Sequence, residues 1–290
     1  MNKSYTELAP AKINIGLRIL SKRRDGYHNI ETIFYPVRIF DHLSLNIRKM
    51  AAEYSGATKI KVTINPKLKI SNKDNICLKA AKLFFERFEI KEPYQVTINI
   101  KKSIPIGAGL GGGSSDAACI LRILSKHFKV ELIHKYLLNL IAAEIGSDVP
   151  FFLIGKPAYA ESRGERLTHL PDFEINRKIL IVNPGKNIST KWAYTELSRR
   201  SRGKWNIKRL DKIKTFEIGR TGLFINRFED VVFKKYPAIG KIKEKMLKLG
   251  AEFSLMSGSG SSVYGLFKKE ADLKSALKYF KTKKYKTFIG

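Results

Sequence analysis

The segment PIGAGLGGGSSD, residues 105–116, constrains this chain more than any other feature of its sequence. It holds five glycines within seven residues, and glycine lets the backbone adopt positive φ angles and approach another group closely. Two serines and an aspartate follow, at the start of an amphipathic pattern typical of a helix. Free backbone N–H groups and the helix dipole at such a junction favour an anion. The segment therefore predicts a phosphate-binding loop, with a simple strand-to-helix connection as the alternative.

This glycine loop differs from two common nucleotide-binding motifs. No Gly-Lys-Ser/Thr ending follows it, so it is not a Walker A sequence. Gly107, Gly109 and Gly112 satisfy the spacing of a dinucleotide-binding loop. That spacing alone is a weak signal, because the motif needs a βαβ unit around it. The residues therefore indicate a phosphate cradle of another type.

Strand patterns and helix patterns come in blocks along the chain. Period-two alternation and short apolar runs predict strands at 13–19, 42–47, 60–64, 95–100, 178–182 and 263–267. Helical periodicity predicts helices at 75–88, 114–128, 131–145 and 239–249, with Asp74 as the N-cap of the first. Blocks of this kind favour an α+β fold over a doubly wound sheet. We expect two domains, at residues 1–170 and 171–290.

Composition excludes several other classes of protein. Of the 290 residues, 43% are hydrophobic, enough to fill a core, so a wholly disordered chain is excluded. The two cysteines, Cys77 and Cys119, supply neither a disulfide framework nor a four-ligand zinc site. No apolar run reaches the roughly 18 residues of a membrane span, and the start of the chain lacks the apolar centre of a signal peptide. We expect a cytoplasmic protein without a membrane partner.

The net charge indicates anionic binding partners but does not select one class of them. The chain has 55 Lys and Arg against 26 Asp and Glu, a formal charge of +29. A positive field of this size attracts nucleic acids, acidic membranes and phosphorylated metabolites alike. Composition therefore leaves open a nucleic-acid-binding protein and an enzyme that acts on anionic small molecules.

Three further segments carry candidate functional residues. Residues 256–262, MSGSGSS, form a second loop of small residues before a strand. Lys12 and Asn14 lie two positions apart, so they share one face of a strand. Asp148 stands between a helix end and the apolar run that follows. Taken singly, these features also fit a hairpin connection, an outward polar face and a local turn or N-cap aspartate.

Together the segments resemble the GHMP kinase superfamily. The glycine loop resembles the second motif of that superfamily, APAKINIGLRI at residues 9–19 its first, and MSGSGSSVYGLF at residues 256–267 its third. RDGYH at residues 24–28 and GSDVPFF at residues 146–152 are similar, more specifically, to the 4-diphosphocytidyl-2-C-methyl-D-erythritol kinase family. One departure is Ser162, where that family commonly has a glycine.

The resemblance implies a fold, a reaction and its partners. The fold is an N-terminal domain like ribosomal protein S5 domain 2 and a C-terminal ferredoxin-like domain. The reaction is transfer of a phosphoryl group from ATP, accompanied by Mg²⁺, to the 2-hydroxyl of 4-diphosphocytidyl-2-C-methyl-D-erythritol. It is a step of the non-mevalonate route to isoprenoids and terpenoids. The implied enzyme is a monomer or homodimer with a small-molecule substrate and no specific nucleic-acid partner.

The resemblance also implies roles for individual residues. Asp148 would be the catalytic base and Lys12 its partner. The implied ATP-binding residues are Pro105, Gly107, Ala108, Gly109, Leu110, Gly111, Gly112, Gly113, Ser114 and Ser115. The implied substrate-binding residues are Asn14, Tyr27, His28, Thr190 and Tyr194. The metal ligands remain unassigned. The alternatives are another GHMP kinase, of the homoserine or mevalonate type, and a basic nucleic-acid-binding protein on an S5-like fold.

Overall fold

In the computed structural model the chain is an α+β protein. The structure describes residues 2–51, 54, 56–67, 71, 74–130, 134–201 and 222–290. Its strands are β1 (Asn2–Lys22), β2 (His28–Lys49), β3 (Lys59–Asn65), β4 (Tyr94–Lys101), β5 (Ala158–Glu161), β6 (Arg166–His169), β7 (Lys178–Asn183), β8 (Phe253–Met256), β9 (Val263–Phe267) and β10 (Lys286–Ile289). Its helices are α1 (Ile76–Arg87), α2 (Gly112–His127), α3 (Lys135–Ile145), α4 (Val149–Ile154), α5 (Thr190–Ser201), α6 (Glu229–Lys235), α7 (Pro237–Lys248) and α8 (Glu270–Thr282).

The chain divides into two compact units, each assembled from several segments. Unit 1 contains Met1–Ala11, Phe40–Ile104 and Gly112–Gly155. Unit 2 contains Lys12–Ile39, Pro105–Gly111 and Lys156–Gly290. The long strands β1 and β2 contribute residues to both. Because both units are discontinuous, they do not test a division of the chain at residue 170, and that boundary stays a prediction.

Unit 1 packs helices on a sheet. In it, β4 pairs antiparallel with the second half of β2 and parallel with β3, in the order β3-β4-β2. Helix α1 packs against α2 and α3, and α2 against α4. The apolar faces meet in a core that includes Phe84, Ile98, Ile120 and Phe151, all fully or almost fully buried. The core holds the start of α2 in place, and the glycine loop leads directly into that helix.

Unit 2 is built on a four-stranded antiparallel sheet in the order β10-β7-β9-β8. Helices α7 and α8 both contact this sheet, and the core beneath them includes Val182, Ile239, Met246 and Phe280. The hairpin of β5 and β6 pairs with the first half of β2. No helix within the described ranges is long and apolar enough to cross a membrane.

The structure confirms the predicted strands and moves several element ends. The first helix begins after Asn75, whose Oδ1 accepts from the N–H groups of Cys77 and Leu78, so the prediction of Asp74 as its N-cap is wrong. Asn75 lies one residue closer to the helix, where its side chain reaches the free N–H groups of the first turn. The third helix begins at Lys135 within the described part of the chain, and residues 131–133 of its predicted range lie outside it.

Strand β1 is also longer and more buried than its alternating pattern suggests. Residues 11–19 are all buried, so both faces of this stretch are covered, as in a central strand. Lys12 and Asn14 therefore lie inside the protein, which excludes an outward polar face for them.

Candidate active site

Lys12 and Asn14 form a buried polar pair on β1. Their exposed fractions are 4% and 2%, and Nζ of Lys12 donates to Oδ1 of Asn14 at 2.5 Å. Nδ2 of Asn14 donates to the hydroxyl of Thr32 at 2.9 Å, and that hydroxyl donates to the carbonyl of Gly16 at 2.6 Å. The Lys12 ammonium also lies 4.7 Å from the ring centroid of Phe34. Hydrogen bonds to Lys12 and Thr32 thus orient the side-chain amide of Asn14, and this amide in turn orients the ammonium of Lys12.

The two small-residue loops of unit 2 meet through their backbones. Gly109 has φ +77°, and a β-carbon there would lie 2.0 Å from the carbonyl oxygen of Ser257. The Ser257 hydroxyl donates to the carbonyl of Gly109 at 2.8 Å, and the N–H of Ser262 donates to the carbonyl of Ala108 at 3.1 Å. A β-carbon on Gly258 would lie 3.1 Å from the α-carbon of Gly109. Glycine is therefore required at 109 for close approach as well as for its φ angle.

Strand β1 is bonded to both loops. The N–H of Lys12 donates to the carbonyl of Leu110 at 3.0 Å. The N–H of Asn14 donates to the hydroxyl of Ser257 at 3.3 Å, and its carbonyl accepts from the hydroxyl of Tyr264 at 3.1 Å. The structure thus brings residues 12–14 of the first motif, residues 105–111 of the glycine loop and the second loop to one place in unit 2.

The second half of the glycine loop belongs to unit 1 and opens a helix. The first turn of α2 consists of Gly112, Gly113, Ser114 and Ser115. The helix therefore begins two residues earlier than the predicted range of 114–128, and the last two glycines of the loop belong to it. The Ser115 hydroxyl is fully buried and has no hydrogen-bond partner among the described residues. The first turn of a helix of this length presents free N–H groups and the positive end of the dipole.

Beside this turn, one buried ammonium joins two carboxylates. Nζ of Lys102 lies 2.5 Å from Oδ2 of Asp41 and 2.6 Å from Oδ2 of Asp116, with side-chain exposures of 7%, 0% and 3%. Burial raises the pKa of Asp116 to about 7, because the opposing pull of Lys102 is incomplete and the charge of Asp41 adds to the rise. Burial acts to lower the pKa of Lys102, but the two carboxylates raise it overall. No spacing or periodicity along the chain indicates that these three residues meet.

Asp148 lies in unit 1, between α3 and α4, and is half-buried. Its backbone is helical, with φ −85° and ψ −14°, whereas an N-cap aspartate has an extended backbone. The apolar side chains after it, including Phe151 and Phe152, are buried in the core. Asp148 and Lys12 belong to different units, so their pairing stays a prediction.

His28 and Tyr194, both predicted substrate-binding residues, are stacked. Their ring centroids are 4.6 Å apart and their planes differ by 14°. Nε2 of His28 lies 2.9 Å from the hydroxyl of Ser198, and Tyr194 packs edge-on against Phe228 at 4.8 Å. Burial, together with the charge of Lys22, lowers the pKa of His28. The lowered pKa favours the neutral imidazole, and the contacts with Tyr194 and Ser198 orient the ring. Ser198 is a contact that the sequence did not reveal.

The other two predicted substrate residues are exposed. Tyr27 ends the turn between β1 and β2 with 52% of its surface exposed, and the guanidinium of Arg163 lies 4.8 Å from its ring centroid. Thr190 begins α5, and its hydroxyl lies 2.8 Å from that of Ser259 in the second small-residue loop. Within unit 2, Thr190 thus contacts the second small-residue loop, and His28 contacts Tyr194.

Comparison with known proteins decides the family. The chain matches the GHMP kinases N terminal domain over residues 75–156 and the GHMP kinases C terminal domain over residues 210–287. It is 39% identical to the 4-diphosphocytidyl-2-C-methyl-D-erythritol kinase of Bacteroides thetaiotaomicron, covering 91% of this chain and 92% of that one. The chain belongs to this kinase family. The enzyme of the same name from Macrococcus caseolyticus is also 39% identical, with 95% of this chain and 94% of that one covered.

Solved structures agree with this membership. A crystal structure of 4-(cytidine 5'-diphospho)-2C-methyl-D-erythritol kinase superposes with a TM-score of 0.77 at 28% identity, covering 99% of this chain and 98% of that one. A mevalonate kinase structure superposes with a TM-score of 0.63 at 18% identity, covering 98% of each chain, and that likeness concerns the fold alone. The chain is thus an enzyme with the GHMP kinase fold, as the resemblance implies.

Asn226 and Glu229, to which the sequence analysis assigns no role, hold the second small-residue loop of this kinase. Nδ2 of Asn226 donates to the carbonyls of Met256 and Gly258, both at 2.7 Å. Glu229 accepts from the N–H of Met256 at 2.8 Å and from Nζ of Lys243 at 2.5 Å. Burial raises the pKa of Glu229 despite its contact with Lys243. The signal in the sequence was the Asn-x-Phe-Glu run at residues 226–229, which carries both side chains.

Proposed function

We propose that this chain phosphorylates the 2-hydroxyl of 4-diphosphocytidyl-2-C-methyl-D-erythritol with ATP, giving the 2-phosphate and ADP. The observation that carries the proposal is its similarity, over nine-tenths of the chain, to relatives that bear this kinase's name. The meeting of β1 with the two small-residue loops supports it, because these segments carry the three motifs of the superfamily. A cytoplasmic location and a monomeric or homodimeric state stay predictions.

Asp148 is proposed as the base that takes the proton of the substrate hydroxyl. A tertiary alcohol is a weak and crowded nucleophile, so a positioned carboxylate speeds its attack on phosphorus. Lys12 is proposed to stabilise the charge that develops on the transferred phosphoryl group. Its contact with Asn14 supports this role, since a neutral amide orients the ammonium without cancelling its charge.

The ATP phosphates are proposed to bind along the glycine loop, from Pro105 to the first turn of α2. The loop's left-handed glycines and the free N–H groups of that turn suit an anion. Mg²⁺ in kinases is held by few protein oxygens together with the phosphates, and it offsets their negative charge. The buried hydroxyl of Ser115, without a partner among the described residues, is an oxygen that fits it. The described residues contain no group of three His, Cys, Asp or Glu that could hold a metal ion alone.

The cytidine end of the substrate is proposed to bind at Tyr27, His28 and Tyr194, with Asn14 and Thr190 near the methylerythritol end. A neutral imidazole can hydrogen-bond the edge of cytosine, and an aromatic ring can stack on its face. A kinase for homoserine or mevalonate would not need this aromatic cluster. The cluster therefore favours the cytidylyl substrate over the other GHMP substrates.

A coupled ADP-release assay tests the proposal. The enzyme is offered 4-diphosphocytidyl-2-C-methyl-D-erythritol, homoserine and mevalonate side by side, each with MgATP. We expect turnover with the first alone. Faster turnover with homoserine or mevalonate would replace the proposed substrate, and ADP release with none of the three would exclude all three assignments.

A further inference from the structure

The turn at residues 161–165 holds a serine in a conformation that side chains rarely adopt. Ser162 has φ +62°, in the left-handed region where the β-carbon crowds the backbone and glycine is favoured. Strained residues of this kind persist where the surrounding structure holds them, often at functional sites. The contacts of the Ser162 side chain therefore show what its presence provides.

The Ser162 hydroxyl joins two charged side chains of unit 2. It accepts a hydrogen bond from Nη1 of Arg23 at 2.9 Å and donates one to Oε1 of Glu165 at 3.0 Å. Oε2 of Glu165 accepts from the N–H of Arg163 at 2.8 Å, which closes the turn. The carbonyl of Ser162 accepts from the N–H of Ile30 at 2.7 Å. Glycine at this position would keep the backbone contact and lose the link to Arg23.

Arg23 connects Ser162 to the turn that carries Tyr27. Its Nε and Nη2 atoms donate to both carboxylate oxygens of Asp25 at 2.9 to 3.1 Å. Asp25 accepts from the N–H of Tyr27 at 3.1 Å, and the N–H of Arg23 donates to the carbonyl of Tyr27 at 2.8 Å. One guanidinium thus fixes the backbone of the turn from within and bonds it to Ser162.

The neighbour of Ser162 supports the ring of Tyr27. The guanidinium of Arg163 lies 4.8 Å from the centroid of that ring, within the range of a cation–π contact. Glu165 lies 3.5 Å from Nε of Arg163 and so orients it. Tyr27 nevertheless keeps 52% of its surface exposed, so surface remains for a ligand to contact.

We propose that Ser162 is a positioning residue for the substrate: its hydroxyl bonds the turn at residues 23–28 to the turn at residues 161–165 and so holds Tyr27, backed by Arg163, where a cytosine base binds. This inference rests on the proposed function, in which Tyr27 contacts the cytidylyl group. The alternative is that the hydroxyl serves stability alone. A positioning role predicts that loss of the hydroxyl raises the KM for the cytidylyl substrate, whereas a purely structural role predicts that this KM is unchanged.

The test compares Ser162→Gly with Ser162→Ala. Both variants remove the hydroxyl, but only glycine relieves the left-handed strain. We expect both to raise the KM for 4-diphosphocytidyl-2-C-methyl-D-erythritol by about three- to tenfold, the size of one hydrogen bond's net contribution. The kcat and the KM for ATP should stay within about twofold of wild type, and Ser162→Gly should not lower the melting temperature. The matched control is Lys284→Gly, which relieves the same strain at an exposed residue with φ +58° and should change no kinetic constant.

Calorimetry with cytidine 5'-diphosphate repeats the comparison without turnover. The affinity for this diphosphate should fall by the same factor in both Ser162 variants. A KM rise in Ser162→Gly alone would assign the effect to backbone flexibility and overturn the role of the hydroxyl. Unchanged KM and binding in both variants of an active enzyme would overturn the inference alone. A wild-type enzyme that neither binds the diphosphate nor turns over the substrate would overturn the proposed function as well.

Discussion

A β-carbon on Gly109 would lie 2.0 Å from the carbonyl oxygen of Ser257, and the Ser257 hydroxyl donates back to the carbonyl of Gly109 at 2.8 Å. The second small-residue loop thus shapes the proposed phosphate loop, although Ser257 lies about 150 residues after Gly109 in the chain. Binding of ATP and folding of unit 2 should depend on the same contact.

Gly109→Ala should damage both properties. The added methyl group would force the two loops apart, and alanine disfavours the φ angle of +77° at this position. We therefore expect the free energy of unfolding to fall by about 2 kcal/mol. We also expect kcat/KM for ATP to fall by at least about tenfold, since phosphate contacts depend on backbone placement. Thermal unfolding and the ADP-release assay measure the two effects. Gly155→Ala is the control, because Gly155 has φ +66° and open space around it; equal effects on kcat/KM in both variants would refute the role of the loop contact.

Asp148→Asn should separate chemistry from binding. The amide keeps the shape of the side chain but cannot accept the substrate's proton, so we expect kcat to fall by at least about a hundredfold. Nucleotide binding should stay within about twofold of wild type, measured by calorimetry with a non-hydrolysable ATP analogue. Asp172→Asn, at an exposed turn, is the matched control and should retain full activity. An active Asp148→Asn enzyme would exclude Asp148 as the base.

The buried triad should make stability depend on pH. The pKa of Asp116 is raised from 3.8 to about 7, first of all by burial. The folded state therefore keeps a proton that the unfolded chain releases, and its stabilising effect is complete below pH 3.8 and lost as the pH rises through 7. We expect the free energy of unfolding to fall by about 2–3 kcal/mol between pH 5 and pH 8 from this group.

Asp116→Asn should flatten that dependence. Asparagine is neutral at every pH and can still accept a hydrogen bond from Lys102. The measurement is urea unfolding of both proteins at pH 5, 6.5 and 8, without nucleotide or metal. Asp74→Asn, which changes an exposed carboxylate, should leave the wild-type slope intact. Parallel pH profiles for wild type and Asp116→Asn would contradict the raised pKa.

The local features of this protein could be predicted from its sequence, and the long-range ones could not. The strand at residues 263–267 and the presence of a helix next to the glycine loop follow from periodicity and turn chemistry, which act over a few residues. The N-cap was misplaced by one position because Asp74 and Asn75 both have capping side chains. Propensity does not distinguish two such neighbours.

The contacts that complete the site join residues far apart along the chain. Lys102 meets Asp41 across 61 positions, and His28 meets Ser198 across 170. Periodicity carries no information on such pairs, so only a known family could suggest that residues 12, 109 and 257 meet. The proposed role of Ser162 depends on a φ angle and on a hydrogen bond from Arg23, and neither is encoded in a local sequence pattern.

His28→Ala should distinguish a substrate contact from a core histidine. His28 is buried, stacked on Tyr194 and bonded to Ser198, which also fits a purely structural role. If its imidazole pairs with cytosine, the KM for the cytidylyl substrate should rise by about tenfold while the KM for ATP stays within about twofold, because one hydrogen bond to the base is lost. His127→Ala is the matched control: His127 is also partly buried, lies 3.0 Å from the hydroxyl of Tyr5 and has a pKa lowered chiefly by burial. Both variants should lose stability, but only His28→Ala should lose affinity for the cytidylyl substrate. Equal KM values for that substrate in the two variants would assign His28 to the core.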